Sequence, residues 1–368
     1  MSLKCGIVGL PNVGKSTLFK ALTAAKVEIA NYPFCTINPN IGIVAVPDSR
    51  LYEIAKRVEP KKVVPTVLEF VDIAGLVKNA SKGEGLGNQF LSHIRAVDAI
   101  VHVVRCFQNP DVAHVTAKLD PETDIEIVNL ELILADLAVV EKKLNKLTRL
   151  AKVGDKQAKN ITSLLSELKE WLEQEKFIKD FPQINEETEK VIKELQLITA
   201  KPLIYVANID ENSLKETNQC IAKVEKIAKR QGAAVLKICA KLEAELAELT
   251  ENEKKEFIEA MELDETGLNQ FIREGYKLLD LITFFTTVGA EIRAWAIKRG
   301  TKALKAAGKI HSDMERGFIK VEVIRYEDLI REGSLSACKE KGLVAIEGKD
   351  YEIKDGDILH FKFKTPKA

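Results

Sequence analysis

Residues 9–16 read GLPNVGKS, a fit to GxxxxGK[ST]. The apolar stretch Cys5–Leu10 reads as a short strand running into the motif, and Thr17, Leu18, Phe19 and Leu22 follow it with helical spacing. A glycine-rich turn between a strand and a helix is the context that phosphate binding needs. Glycines let successive backbone N–H groups turn inward around phosphate oxygens, and the helix N-terminus adds positive potential. On this reading Lys15 is a catalytic group that reaches the β and γ phosphates, and the Ser16 hydroxyl ligates Mg²⁺. Asn12, Val13, Gly14 and Thr17 complete the nucleotide-contacting run.

Working outward, Thr66–Asp72 (TVLEFVD) reads as a strand ending in Asp72-Ile-Ala-Gly75. An Asp at a strand's C-terminal end reaches the Mg²⁺ hydration shell, and Gly75 lets its N–H approach the γ-phosphate. Between the two motifs, Thr36 lies on a loop bounded by Pro33 and Pro39. It is placed either as a second hydroxyl on Mg²⁺, engaged only while the γ-phosphate holds the loop, or as a plain loop threonine. Further apolar strands at Ala99–Val104, Pro202–Ala207 and Ala234–Cys239 each follow a helical stretch. That alternation predicts a mostly parallel α/β sheet with the ligand at the strands' C-terminal ends, a P-loop NTPase of the Ras-like G-domain type.

Leu76 stands where many signalling GTPases carry the glutamine that orients the attacking water, so slow intrinsic hydrolysis is expected. His114, beyond the Ala99–Val104 strand, emerges on the ligand side. By position alone it is either a solvated loop histidine or the polar group that replaces the glutamine. The stretch Ser81–Asn88 holds three glycines in five residues and reads as a loop that orders around nucleotide.

After the strand PLIYVA, where a guanine reader would carry Asn-Lys-x-Asp, the chain has Asn208-Ile209-Asp210-Glu211. Asn208 keeps the general purine contact. Glu211, one methylene longer than Asp, loses the fork that accepts from guanine N1–H and the 2-amino group, and Ile209 replaces the lysine stem. Adenine has neither donor, so the reading is ATP preference or lost selectivity; the other reading is that the segment is only a loop. Cys239-Ala240-Lys241 forms the expected second side of the pocket.

These residues together resemble the YchF proteins, Obg-related P-loop NTPases that hydrolyse ATP. The resemblance rests on NVGKST at 12–17, NYPFCT at 31–36, DIAGL at 72–76, NIDE at 208–211 and the C-terminal segment, and it covers essentially the whole chain. It implies a slow ATPase with a hydrophobic residue at the glutamine position, a catalytic loop histidine at His114, and Mg²⁺ ligands at Ser16 and Thr36. Asn12 also resembles the P-loop asparagine of potassium-activated GTPases, which adds a K⁺ role as an extra.

From Asp124 to Ala200 the chain is almost free of Gly and Pro, with Leu134, Leu137, Val140, Leu144 and Leu147 at three- and four-residue steps. Ile161, Leu164, Leu168 and Trp171 resume the period after Gly154. Two helices folded back at Gly154 give an antiparallel hairpin, serving either as a spacer or as a partner-binding arm; the resemblance implies the same. Past residue 280 the β-like runs LITFFTTV, FIKVEVI and DILHFKF, with a helical piece at Tyr326–Glu332, resemble the TGS domain, a ubiquitin-like β-grasp module of translation proteins. The expected division is 1–125 with 201–280 as the NTPase domain, 126–200 as the hairpin and 281–366 as the TGS domain.

The chain has 368 residues with 55 basic and 55 acidic side chains and 46% hydrophobic content. That neutral balance favours neither nucleic acid nor membrane overall. From Leu281 onward, however, 17 Lys and Arg face 13 Asp and Glu. The excess gathers at 293–309, where Arg293, Lys298, Arg299, Lys302, Lys305 and Lys309 read either as an RNA patch, with Trp295 and His311 for stacking, or as a solvated basic loop. No apolar run approaches the roughly 18 to 20 residues of a bilayer span, and the N-terminus lacks a signal-peptide pattern. Six cysteines without a CxxC pair read as free thiols of a reducing cytosol. The expectation is a cytoplasmic, monomeric ATPase switch that binds the ribosome or its RNA and acts in translation or stress regulation. An ATP-gated binding module with little turnover and an Obg-type GTPase, in which Glu211 does the work of Asp, are the alternatives.

Overall fold

The computed structural model describes residues 3–24, 40–73, 86–109, 119–152, 155–214 and 218–364. In chain order they give β1 (Lys4–Val8), α1 (Lys15–Ala24), β2 (Ile41–Ala45), α2 (Ser49–Val58), β3 (Lys62–Val64), β4 (Val67–Asp72), α3 (Leu86–Arg95) and β5 (Ala99–Cys106). Helices α4 (Pro121–Lys152), α5 (Lys156–Glu173) and α6 (Glu186–Leu195) follow. The chain then returns through β6 (Leu203–Ile209), α7 (Gln219–Arg230), β7 (Ala234–Ile238), α8 (Ala240–Leu246), α9 (Glu251–Ala260) and α10 (Gly267–Leu278).

The first sheet has the order β2-β4-β1-β5-β6-β7. All its pairings are parallel except β2 with β4. Strands β5 and β6 are buried along their whole length, which requires helices on both faces of the sheet. The register places the C-terminal ends of β1, β4, β5 and β6 along one edge, and Gly9, Asp72, Arg105 and Asn208 arrive there together. This is the P-loop NTPase architecture that the alternation of strands and helices predicts.

Helix α4 runs for 32 residues, about 48 Å at about 1.5 Å per residue. Its first turns are rooted in the main core through Ile125 and Val128, and Asn129 donates to the Tyr205 hydroxyl at 3.3 Å. The remainder packs against α5 through Val140, Leu144, Leu165 and Leu168. The expected turn at Gly154 lies outside the described residues. Two details differ from the sequence reading. The arm has no break from the NTPase core at residue 126, because α4 begins at Pro121 and enters that core directly. The return path also carries a third helix, α6, whose start Asn185 caps by accepting from the Thr188 N–H at 2.9 Å.

The second sheet is formed by β8 (Leu281–Val288), β9 (Glu291–Lys298), β10 (Phe318–Ile324), β11 (Ala345–Glu347) and β12 (Ile358–Phe363), crossed by α11 (Ala303–Ile310), α12 (Ser312–Arg316), α13 (Tyr326–Glu332) and α14 (Leu335–Glu340). Its order is β11-β10-β12-β8-β9-β3. The edge strand β3 therefore comes from far upstream and pairs parallel with β9, Val63 against Ile292. One face packs Ile282, Phe284, Ala306 and Val321 under α11. The other packs Phe285, Ile292 and Ile358 under Leu51 and Ile54 of α2. The sequence reading assigns 1–125 to the NTPase domain and sees β9 only as a basic run. In the fold, α2 and β3 belong to the second sheet, and β9 is one of its inner strands. Among the described residues no helix is long and apolar enough to cross a membrane.

Candidate nucleotide site

The turn after β1 is shaped by two glycines that nothing larger can replace. Gly9 has φ +149°, and a Cβ there would stand 2.4 Å from the Val103 carbonyl oxygen. Gly14 has φ +97°, and its Cβ would stand 2.1 Å from the Asn208 amide nitrogen. Asn12 between them is also left-handed, at φ 62°. Three positive-φ residues within six wind the loop tightly, as a turn around phosphate requires.

Lys15 opens α1 and is only 7% exposed. Its ammonium donates to the Leu10 carbonyl at 2.6 Å across the loop it must serve. Burial lowers its pKa to about 8, opposed by the charge of Asp72. Burial in turn raises the pKa of Asp72, with Lys15 pulling the other way. Ser16 and Thr17 are exposed on the first turn of α1, facing outward from the same loop. The described donors beside the phosphate loop are therefore a hydroxyl at Ser16 and a half-buried carboxylate at Asp72. That all-oxygen set suits Mg²⁺, which takes few protein ligands and completes its shell with water and phosphate oxygens. Thr36, Gly75, Leu76 and His114 lie outside the described residues.

Asn208 ties the site together. It is buried at the end of β6, donates through Nδ2 to the Val13 carbonyl at 2.9 Å and accepts the Ala240 N–H on Oδ1 at 3.0 Å. One side chain thereby joins the phosphate loop to the start of α8. Ile209 is 2% exposed and sits in the main core. Its side chain is therefore packed in that core, at the C-terminal end of β6. Asp210 accepts the Ser213 N–H at 3.0 Å and closes the turn at 211–214. Glu211 is half exposed and pairs with Lys241, Nζ to Oε1 3.6 Å.

The described residues on either side of 110–118 are held by Arg105 and Asp120, neither of which the sequence singles out. The buried Arg105 guanidinium donates to the carbonyls of Phe107 at 3.3 Å and Asn109 at 3.1 Å, and it lies 4.6 Å over the Phe107 ring. At the other end Asp120 accepts from Thr123 and from Lys223 of α7, each at 2.8 Å. Residues 107–109 and 120–123 are therefore held to the frame. An arginine inside the strand AIVHVVRC was the one available signal, since a charge in an otherwise apolar buried strand needs partners.

The basic run at 293–309 is differently placed from its linear appearance. Arg293 pairs with Glu291 at 2.8 Å, Arg299 with Asp280 at 3.1 Å, Lys302 with Asp350 at 3.1 Å and Lys305 with Glu315 at 2.6 Å. Burial lowers the pKa of Lys309. Trp295 is stacked on Phe284, with centroids 6.3 Å apart, and donates to Thr286 Oγ1 at 2.9 Å. His311 accepts the Asp313 N–H at 3.2 Å, capping α12. Four of the six expected cations are thus locally neutralised by acids that folding brings in, and both stacking candidates already have structural partners.

Comparison with known proteins was made on this frame. Residues 281–364 match the family model YchF-GTPase_C, described as "Protein of unknown function (DUF933)", and residues 4–143 match MMR_HSR1, described as "50S ribosome-binding GTPase". A Bacillus subtilis protein named "Ribosome-binding ATPase YchF" is 53% identical over 99% of this chain and 100% of its own length. Its namesake in Escherichia coli O157:H7 is 49% identical with the same coverage. Among solved structures, that of a Schizosaccharomyces pombe protein titled "YchF GTPase" superposes with TM-score 0.88 at 39% identity, covering 98% of both chains.

Proposed function

The chain belongs to the YchF family, and we propose that it is a Mg²⁺-dependent ATPase switch that hydrolyses ATP slowly and engages the ribosome. The single observation that carries the base preference is the disposition of the stretch after β6. Asn208 is spent on Val13 and Ala240, Asp210 on Ser213, and Glu211 points to Lys241. No carboxylate there is aimed to accept from guanine N1–H and its 2-amino group together, and adenine requires none. ATP is therefore the better ligand.

Lys15 holds the β and γ phosphates, with the N–H groups of the turn at Gly9–Gly14 around them. Ser16, Thr36 and Asp72 hold Mg²⁺, which when bound neutralises phosphate charge. His114 positions the attacking water in place of the glutamine that Leu76 displaces. The names of the bacterial relatives support ATP and the ribosome as partners. We place the ribosome contact on the C-terminal TGS module and on the arm of α4 and α5, and the protein in the cytoplasm as a monomer. Because most of the 293–309 cations are paired, RNA binding there exchanges internal ion pairs for phosphate contacts and is steeply salt-dependent.

The test is titration of nucleotide-free protein with non-hydrolysable ATP and GTP analogues in Mg²⁺. Tighter ATP binding by a factor of about ten or more, about 1.4 kcal/mol, is the expected result, and tighter GTP binding overturns the reading. A second reading, a nucleotide-gated binding module with little turnover, is favoured by Leu76 alone. His114→Ala separates the two: lowered turnover with unchanged ATP affinity belongs to the ATPase, and an unchanged basal rate to the module.

A further inference from the structure

Building on the adenine-selective reading of the base site, we infer that Lys241 is a specificity-determining residue: it holds Glu211 away from the position of a guanine acceptor. Length alone does not exclude guanine at this site. A Glu side chain has one more rotatable bond than Asp, and its two carboxylate oxygens can be brought to the guanine edge from a slightly displaced backbone. Something must keep that carboxylate elsewhere. Lys241 does so from the facing wall of the pocket, with Nζ 3.6 Å from Glu211 Oε1.

The lysine is itself held. Its ammonium lies 3.7 Å from Glu245, one turn along α8. The start of α8 is fixed to the site by the Ala240 N–H, which donates to Asn208 Oδ1 at 3.0 Å. The chain across from it is equally constrained, because Asp210 accepts the Ser213 N–H and closes the short turn that carries Glu211. The ion pair thus bridges the two segments that flank a base, and both are anchored through Asn208 and Asp210. To accept from guanine, Glu211 must give up its cation and turn inward; adenine leaves the bridge untouched. Lys241 is 75% exposed and Glu211 49%. An exposed pair of this kind is weak, so the expected effect on selectivity is small, about three- to fivefold.

The experiment measures dissociation constants of fluorescent non-hydrolysable ATP and GTP analogues, in Mg²⁺, for the wild type, Lys241→Ala, Lys241→Met and the double variant Glu211→Ala/Lys241→Ala. Lys241→Met keeps the aliphatic stem and removes only the charge. Expected is a GTP analogue bound about three- to fivefold more tightly by both single variants, ATP affinity within about twofold of wild type, and a double variant that returns to the wild-type ratio. An ATP-to-GTP ratio unmoved in both single variants overturns the role of Lys241 while leaving adenine selectivity intact. Equal weakening of both nucleotides also overturns it, because Lys241 then only covers the base. A wild type that already prefers GTP removes the adenine reading itself, and the Lys241 proposal with it.

Discussion

Cys220, near the start of α7, takes a hydrogen bond from the thiol of Cys106 at the end of β5. Cys106 is buried and Cys220 half-buried, so the proton stays on the deeper sulfur. The contact raises the pKa of Cys106, and it lowers that of Cys220 to about 7, with Lys223 adding its charge. Thiolate, not thiol, is the nucleophile. Cys220 should therefore be alkylated by iodoacetamide at a rate that climbs through pH 7 and levels above it, as followed by peptide mass spectrometry. Cys106→Ala, which removes the donor, should move that midpoint upward, toward the ordinary thiol value. A midpoint near 9 in the wild type would contradict the assignment. What was readable at this scale was whatever sits in a short string of fixed chemistry: Lys15, Ser16 and Asn208 come from motifs whose spacing is their function. Arg105, Asp120 and the Cys106–Cys220 contact were not readable, because each depends on main-chain carbonyls or partners that only the fold brings near.

One tier up, the helices are joined by a buried polar node. Asp136, on the middle of α4, is fully buried and accepts the N–H groups of Ile198 at 3.0 Å and Thr199 at 2.7 Å, with the Thr199 hydroxyl at 2.8 Å. Arg95, the last residue of α3, pairs with it at 3.0 Å and also donates to the carbonyls of Ala135 and Gln196. Lys201 closes the same helix end, its ammonium on the carbonyls of Ile94 at 2.8 Å and Arg95 at 2.6 Å, where a cation meets the negative end of the helix dipole. The helix after the Asp72 loop is thereby fastened to the root of the α4–α5 arm. Asp136→Ala leaves Arg95 without its carboxylate and two buried N–H groups without an acceptor. We expect a loss of about 3–5 kcal/mol, read as a lower urea midpoint with unchanged slope, and a smaller loss for Asp136→Asn, which keeps one acceptor oxygen. A change below about 1 kcal/mol, the scale of an exposed pair, would mean the node is not dry. Apolar periodicity revealed α4 and α5 in the sequence; it could not reveal Asp136, since a lone acid in a helix reads as surface until its donors are known.

For the whole molecule the decisive feature is the path from β2 to β4. From β2 the chain leaves the first sheet, forms α2 and β3 on the second, and returns as β4 to deliver Asp72. Nothing local announces this: β3 is three residues between Pro60 and Pro65, and its partner β9 lies in the last third of the chain. Yet the seam is well made. Leu51 and Ile54 are buried among Phe285, Ile292 and Ile358. Arg50 bridges Asp48 and Asp355, at 2.8 Å to each, and lies 5.7 Å over the Phe285 ring. The excursion begins at β2 and ends at β4, so the strand that delivers Asp72 follows directly from the edge strand of the second sheet. Leu51→Ala, which removes a fully buried side chain, should cost about 2–5 kcal/mol. Its effect should not stay local. Amide hydrogen exchange should rise in β9, beside β3, and in β4, which follows it, and nucleotide binding should restore protection in both. If exchange rises only within residues 49–64, the excursion is a strap laid over two independent modules.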